Sequence, residues 1–576
     1  MNWENSTWTN PLSELERKYS GQIQNLVANT NLSYEIVKNI SFKTNLGYTS
    51  MSVDENIIYP LSSRDPDFVA GGTGFAYFGD NKLKTWIAEP QLDYKLKVSK
   101  GTLLLLLGST FQESVQSGKT VEGSGFSNDA LLDNIRAAAT LNIIQAAYSK
   151  YRYMSGFARA NFNWEEKYIL NLTARRDGSS RFGPGNKFAN FGAIGAAWIF
   201  SNEKFFPSGV FSFGKLRSSY GITGSDAIGD YQYLNTYGLT SYPYNRSTGL
   251  VINRLANPQY SWESNRKFEV ALELAFLKDQ ISFEASYYQN RSTNQLVGLP
   301  LPIMTGQSSV QFNLPATVEN TGFEFQVSSW LMKKSAFQWE ANFNITVPSN
   351  RLIEFPGLEK FPAYANRYDV GKSVFTIKGF QSTGVDTETG LYTVADLNED
   401  GAISSTLDIV GLKQIAQQYY GGLGNTFRYK GVDLTLFFQF VKQTGNSYQR
   451  SFIMPGAASN QPIIVLNRWQ QPGDQTSVQR FSDFDPTAAA TTAYSRSLSS
   501  DDRVTDASFI RFKTAALSWQ LPTTTAQRVG MQKLRIYLQG QNLFTITNYT
   551  GLDPENQVSV SLPALRMITV GLDLTF

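Results

Sequence analysis

Phe268-Glu-Val-Ala-Leu-Glu-Leu-Ala-Phe276 divides by twos: Phe268, Val270, Leu272, Leu274 and Phe276 fall on one face, and Glu269, Ala271, Glu273 and Ala275 on the other. Side chains of a strand point alternately to its two sides, so this stretch is a strand with one apolar and one polar face. The same period recurs in Leu534, Ile536 and Leu538 against Arg535, Tyr537 and Gln539, and again in Val432–Phe440 and Ile281–Tyr287. A second sheet or lipid tails would each satisfy such an apolar face, and alternation alone leaves the two open.

Composition narrows the choice. The 576 residues are 14% aromatic and only 17% charged, against about 25% charged in soluble proteins. The chain has neither Cys nor His, which removes disulfides, thiolate sites, most zinc sites and the Ser-His and Cys-His nucleophile machines. A net charge of +3, spread along the chain, gives no electrostatic footprint for nucleic acid. The most apolar run is Leu103–Leu107, far short of the about 20 residues of a spanning helix, whereas a spanning strand needs only about 9–11. Met1–Asn10 has neither a basic start nor an apolar segment, so no signal peptide is read there.

The joints between strands favour lipid. Tight, polar joints at 35–39, 99–101, 164–167, 277–280, 332–335 and 429–431 alternate with long polar loops at 51–83, 113–146, 222–265, 291–317, 347–416 and 443–507. A sandwich has no reason to gather its long loops at one end, whereas an outer-membrane barrel has short periplasmic turns and long extracellular loops. The expected fold is an all-β, antiparallel, up-and-down transmembrane barrel of about seventeen strands, from one near Gly21–Tyr34 to Met567–Phe576. Single-chain bacterial barrels have even strand numbers, so residues 1–576 read as the C-terminal part of a larger barrel, with about five strands, a plug and the signal peptide expected before Met1.

Two stretches carry identity. One is Tyr168-Ile-Leu-Asn-Leu-Thr-Ala-Arg-Arg-Asp-Gly-Ser-Ser-Arg-Phe-Gly183, and the other is Gln541-Asn-Leu-Phe-Thr-Ile-Thr-Asn-Tyr-Thr-Gly-Leu-Asp-Pro-Glu555. With Gly384-Val-Asp-Thr-Glu-Thr-Gly390, Asp396-Leu-Asn-Glu-Asp-Gly401 and Tyr420-Gly-Gly-Leu-Gly-Asn-Thr-Phe427 in order between them, the chain resembles the SusC/RagA family of TonB-dependent outer-membrane transporters. The motif positions that carry the resemblance are Arg176, Asp177, Gly178, Ser179, Ser180, Arg181, Phe182 and Gly183, then Asn542, Leu543, Phe544, Asp553, Pro554 and Glu555. The resemblance implies a 22-stranded barrel in the outer membrane of a Gram-negative, Bacteroidota-type bacterium. It also implies import of oligosaccharides or peptides beneath a SusD-like surface lipoprotein, with the TonB complex engaged through an N-terminal part outside this chain.

Each motif also has a plain structural reading. Asp177-Gly-Ser-Ser is first a turn, with Gly supplying unusual backbone angles and Asp and Ser bonding nearby amides. Arg175, Arg176 and Arg181 are expected to pair with plug or lumen carboxylates, and Asp553-Pro-Glu555 reads as a loop corner, not a catalytic carboxylate pair. Asp396, Asn398 and Asp400 before Gly401 have the spacing of the first half of a calcium loop, but Leu407 stands where a Glu ligand belongs, which makes a solvated acidic loop the default and calcium the alternative. Tyr231, Tyr233, Tyr242, Tyr244 and Trp262 crowd one long loop and are candidate substrate-binding rings, since aromatic faces stack on sugars, although loops also pack on Tyr for their own stability.

The expected activity is therefore binding, gating and translocation without bond chemistry and without a required cofactor. A passive pore or inactive remnant is the first alternative, and a soluble β-rich surface module that binds glycans is the second. No Gly-x-Ser-x-Gly stands in a strand-to-helix setting, and an enzyme is the least expected class.

Overall fold

The computed structural model describes residues 10–65, 72–206, 209–240, 242, 244–245, 247–333, 336–448, 454–457, 460–483, 485, 488–528, 530–558 and 561–576. The turn expected at 332–335 falls partly on residues 334–335, which lie outside the described residues, as do residues 1–9 of the N-terminal stretch.

Among the described residues, one antiparallel sheet of eighteen strand segments carries the fold. Its strands are β1 (Lys18–Val37), β2 (Ile40–Tyr59), β3 (Phe75–Val98), β4 (Gly101–Ser124), β5 (Thr140–Trp164) and β6 (Tyr168–Ser179). Next come β7 (Phe188–Trp198), β8 (Phe211–Ser225), β9 (Glu263–Phe276), β10 (Ile281–Thr293), β11 (Thr317–Met332) and β12 (Phe337–Glu354). The last are β13 (Gln417–Tyr429), β14 (Val432–Asn446), β15 (Phe509–Gln520), β16 (Lys533–Thr547) and β17 (Met567–Thr575). The eighteenth segment, Val504–Asp506, pairs with the end of β14 in line with β15, so seventeen strands make the wall, as the alternation predicts. Each strand pairs with its neighbour in sequence, the up-and-down order of a barrel. Among the described residues, β1 pairs with β2 alone and β17 with β16 alone.

Register shows which way each strand faces. Leu103, Leu105 and Leu107 lie opposite Leu96, Tyr94 and Leu92 of β3 and opposite Phe162, Ala160 and Ala158 of β5. Leu104 and Leu106 lie opposite Lys95 and Asp93, and opposite Asn161 and Arg159. Directly paired residues share a face, so the five-leucine run is split: its odd members face lipid and its even members face a polar lumen. On the lumen side of β8–β10, Arg217 bridges Glu269, Glu273 and Glu284 while Lys215 pairs with Glu273 at 3.0 Å.

The joints keep the predicted asymmetry but shift its boundaries. At one end the connections include 38–39, 99–100, 165–167, 277–280 and 430–431. Asn39 (φ 70°) and Gly431 (φ 84°) provide the left-handed backbone that these reversals need. Two joints at this end are longer, 199–210 and 521–532, the latter holding a helix at Thr523–Arg528. At the other end the loops are 60–74, 125–139, 180–187, 226–262, 294–316, 355–416, 447–508 and 548–566. Residues 51–59, 75–83, 113–124 and 140–146, expected as loop, are strand. The cause is that the sheet continues above the hydrocarbon: β3 and β4 have 24 residues and β5 has 25, against the about 9–11 that cross a bilayer. Apolar alternation stops at the membrane boundary, whereas ladder hydrogen bonds do not.

Among the described residues, the buried apolar clusters lie at the long-loop end, in loops and the adjoining strand ends. One holds Leu314, Ala316, Leu352 and Phe355, and the other Phe182, Tyr260 and Trp262. Adjacent leucines with opposite facing provide a test of the wall. Leu105→Lys is expected to cost about 2–4 kcal/mol of folding free energy in lipid vesicles, the range for a Lys on the lipid face. Leu106→Lys, beside Asp93 on the lumen side, is expected to cost less than half as much in the same reversible urea titration. Equal costs for the two would refute the assignment of faces.

Candidate functional site

The strand exit Arg175–Gly183 anchors the mouth. Alternation turns Arg175, Asp177 and Ser179 inward and Arg176, Gly178 and Ser180 outward. Inside, Arg175 Nε donates to both oxygens of the buried Asp177 at 2.8 and 2.9 Å, and its Nη2 donates to the Tyr153 hydroxyl at 2.7 Å. Beyond the strand, Arg181 Nε donates to Asp230 at 3.0 Å and its Nη1 to the Asp226 carbonyl at 2.9 Å. Its guanidinium lies 4.3 Å from the centre of the Tyr151 ring, whose hydroxyl donates to Asp226 at 2.9 Å. Arg175 thus pairs with a carboxylate of its own strand, whereas Arg181, expected to meet a plug or lumen carboxylate, pairs with Asp230 of loop 226–262. Arg176 does neither: it projects to the outer face and lies 5.3 Å from the centre of the Phe188 ring. Two successive strand residues cannot share a face, which is why one of the pair was bound to leave the lumen.

Phe182 is fully buried, 5.1 Å from Trp262 and 6.1 Å from Tyr260 between ring centres. Trp262 donates to the Lys187 carbonyl at 3.1 Å and meets Phe191 edge-on at 5.7 Å. Burial, with the Glu263 charge, pushes the Tyr260 hydroxyl up to about 12. Gly183 sits where a Cβ would stand 3.1 Å from the Pro258 carbonyl oxygen, and a Cβ on Gly178 would stand 2.5 Å from the Phe188 ring. The motif is therefore a weld between the wall and loop 226–262, in which a side chain at Gly183 would hold the two apart, while one at Gly178 would strike Phe188 on the neighbouring strand.

The candidate rings divide. Tyr231 accepts the Lys150 N–H at 3.0 Å, its carbonyl takes an Arg254 bond at 3.1 Å, and Tyr233 packs on the Phe182 cluster. With Trp262 they form the base of the loop. Tyr242 and Tyr244, at 87% and 88% exposure, stand at its tip. The structure does not gather the five rings into one surface.

The second motif ties down another loop, 548–566, at the same end of the wall. Asn542 has φ 51°, and the register jumps from Thr514 opposite Gln541 to Phe512 opposite Phe544. Asn542 and Leu543 therefore form a β-bulge, with Asn in the left-handed region it tolerates better than most residues. Asn542 Nδ2 donates to the Leu565 carbonyl at 3.1 Å, and Phe544 faces outward at 48% exposure. Asp553 accepts both bonds of Arg511 Nη2 at 2.9 and 3.0 Å, with Glu555 on Nη1. Gln443 Nε2 donates to the Pro554 carbonyl at 2.9 Å. Arg511, 42 residues before Asp553, had no local signal to mark it, and neither did Asp226, Asp230 or Tyr151.

The acidic loop bonds mostly to itself, with Asp396 Oδ1 left buried and without a partner. Asp396 Oδ2 accepts the Gly401 N–H at 2.8 Å, Asp400 accepts Ala402 N–H at 2.8 Å and Asn398 Nδ2 at 2.7 Å. Asp408, fully buried, accepts the N–H groups of Leu397 and Ser404 at 2.8 and 2.7 Å, and those amides hold its carboxyl below the usual range. Among the described residues, no group of three or more His, Cys, Asp or Glu is arranged to hold a metal ion.

The TonB dependent receptor-like, beta-barrel family profile matches residues 2–543. The chain belongs to that family. It is 28% identical to TonB-dependent receptor P3 of Formosa agariphila over 95% of its own length and 58% of that protein's. It is 25% identical to TonB-dependent receptor SusC of Bacteroides thetaiotaomicron over 79% of its length and 46% of that protein's. Among solved structures, it superimposes on the RagAB peptide transporter with a TM-score of 0.85 and 22% identity, covering 98% of this chain and 63% of that one. The fold shared with RagAB is thus the barrel wall, and the chain spans about half to three-fifths of the length of these relatives.

The welds and the loop tip have different expected tolerances. Arg511→Ala leaves Asp553 buried and unpaired, at an expected cost of about 3–5 kcal/mol. Tyr242→Ala removes an exposed ring and is expected to stay within about 0.5 kcal/mol. Thermal unfolding in detergent, followed by circular dichroism, reads both, and an Arg511 variant as stable as the parent would sink the weld.

Proposed function

We propose that this chain is the barrel wall of a TonB-dependent outer-membrane importer of the SusC type, carrying oligosaccharides or peptides past the bilayer. The observation that supports this most is the wall itself: a polar, charge-lined inner face and an apolar outer face, with its large loops at one end. An occluding plug would rest on the inner face, where Arg217 and its three glutamates offer both signs of charge. A surface lipoprotein would close over the long-loop end. Import is by binding and gating, and no bond in the substrate is broken. RagAB, described as a peptide transporter, supports a peptide cargo, and the exposed Tyr242 and Tyr244 rings suit a stacking contact with sugar or peptide faces.

The test is growth of the source bacterium after deletion of the gene, on single oligosaccharide and peptide sources. Loss of growth on one source, restored by the gene, is the expected result. Unchanged growth on every source that the parent uses would overturn the reading. In the restored strain, the Tyr242→Ala/Tyr244→Ala pair is expected to weaken substrate binding by roughly 30-fold, at about 1 kcal/mol per lost ring contact, with no change in protein level.

A further inference from the structure

Just where the lipid face of β3–β7 gives way to charge, the outer wall bears a groove of about 410 Å³. The register places its residues side by side: Trp86 lies opposite Glu113 and Glu113 opposite Arg152, while Phe111 lies opposite Met154 and Gly178 opposite Phe188. Trp86, Phe111, Met154 and Phe188 are 44%, 40%, 46% and 47% exposed and form an apolar floor. Above and beside it stand basic groups. Arg152 and Lys187 line the groove, Arg176 lies over the Phe188 ring, and Lys84 and Lys150 share the outer face through their common partner Val115. Among the described residues, the one carboxylate paired with any of these five cations is Glu113, bridged by Lys150 at 3.1 Å and Arg152 at 2.7 Å.

Directly toward the short-turn end, the same face continues as a trough of about 470 Å³ lined by Leu92, Leu107, Ala158, Ala160, Leu172 and Ala174. The alanines leave a channel between taller leucines. Aromatic rings mark the level of bilayer head groups, so the basic groove sits at the outer-leaflet head-group level and the trough within the acyl region.

The geometry points to a binding site for a phosphorylated outer-leaflet glycolipid of the lipid A class, with its phosphates on Arg152, Arg176 and Lys187 and an acyl chain along the alanine trough. Guanidinium groups match phosphate oxygens with paired donors, and the net positive charge of the groove complements an anionic head. The site rests on the outer-membrane placement given under Proposed function and adds to it a specific lipid.

The test uses the full protein that contains this wall, extracted from outer membranes in mild detergent and freed of lipid. It is titrated, with native mass spectrometry as readout, with bisphosphorylated lipid A, the same lipid without its phosphates, and inorganic phosphate. One saturable site for the phosphorylated lipid is expected. Arg152→Glu/Arg176→Glu should weaken it by roughly 30-fold, at about fivefold per basic group lost near an anionic lipid, and removal of the phosphates should do the same. Ala158→Trp, which fills the trough without touching charge, should weaken both lipids. Undiminished binding by the double variant, with heat-shifted gel mobility showing it folded, would overturn the proposal. So would equal binding of the dephosphorylated lipid, or displacement by millimolar inorganic phosphate alone. A protein recovered in the outer membrane without lipid preference defeats only this site. Its absence from the outer-membrane fraction defeats the placement itself.

Discussion

Inside hydrocarbon no water is present to take an unpaired amide, and each one left bare costs several kcal/mol. That constraint shapes the chain more than any side-chain contact. It demands that each strand find its neighbour along the whole apolar depth, and the sheet answers with continuous ladders from β1 to β17 in sequence order. Once pairing is fixed, period two follows: each residue faces either lipid or lumen, and its neighbour faces the other. The apolar side chains then lie against lipid, and the buried apolar clusters appear among the loops, around Phe182 and Phe355.

How much of this is legible without coordinates depends on what the period can carry. Strand number and order are readable, because Phe268–Phe276 and Leu534–Gln539 alternate openly and the tight joints are marked by Asn, Gly, Lys and Asp. The five leucines 103–107 are opaque by themselves. Only their partners, Tyr94 and Ala160 for Leu105, Asp93 and Arg159 for Leu106, tell which faces lipid. Strand ends are opaque for another reason. Above the membrane both faces of β3, β4 and β5 meet water or loops, so polar residues such as Asp80, Lys82 and Lys119 stand in strand and the pattern that identifies a strand vanishes while its hydrogen bonds persist.

The mouth was legible as motif and illegible as geometry. Arg181 and Asp230, or Arg511 and Asp553, are separated by 49 and 42 residues, and no local rule pairs them. Their chemistry explains the pairing: a loop that leaves a strand must be tied down, and a guanidinium on a carboxylate, buried at Arg511–Asp553 and half-buried at Arg181–Asp230, ties it in one geometry. Such a pair adds little net stability over apolar packing, yet loss of either partner strands a charge. The device therefore fixes position more than it adds strength, and position is what a binding surface at a barrel mouth requires. The same need accounts for Phe182 and Trp262 under the loop, while Tyr242 and Tyr244 at its tip are free to meet a ligand.

The octapeptide Arg176–Gly183 serves two solvents at once. Its inward members, Asp177 and Ser179, are buried against Arg175 and the mouth, and its outward members, Arg176 and Gly178, lie with Phe188 beside the bilayer. A one-residue slip would exchange the two sets, placing a buried carboxylate in lipid and a bare glycine in the weld. Neither face tolerates the other's residues, so the order Arg-Asp-Gly-Ser-Ser-Arg-Phe-Gly is constrained from both sides. A motif fixed in this way marks the boundary between membrane and mouth, and it does so whatever cargo passes through the lumen.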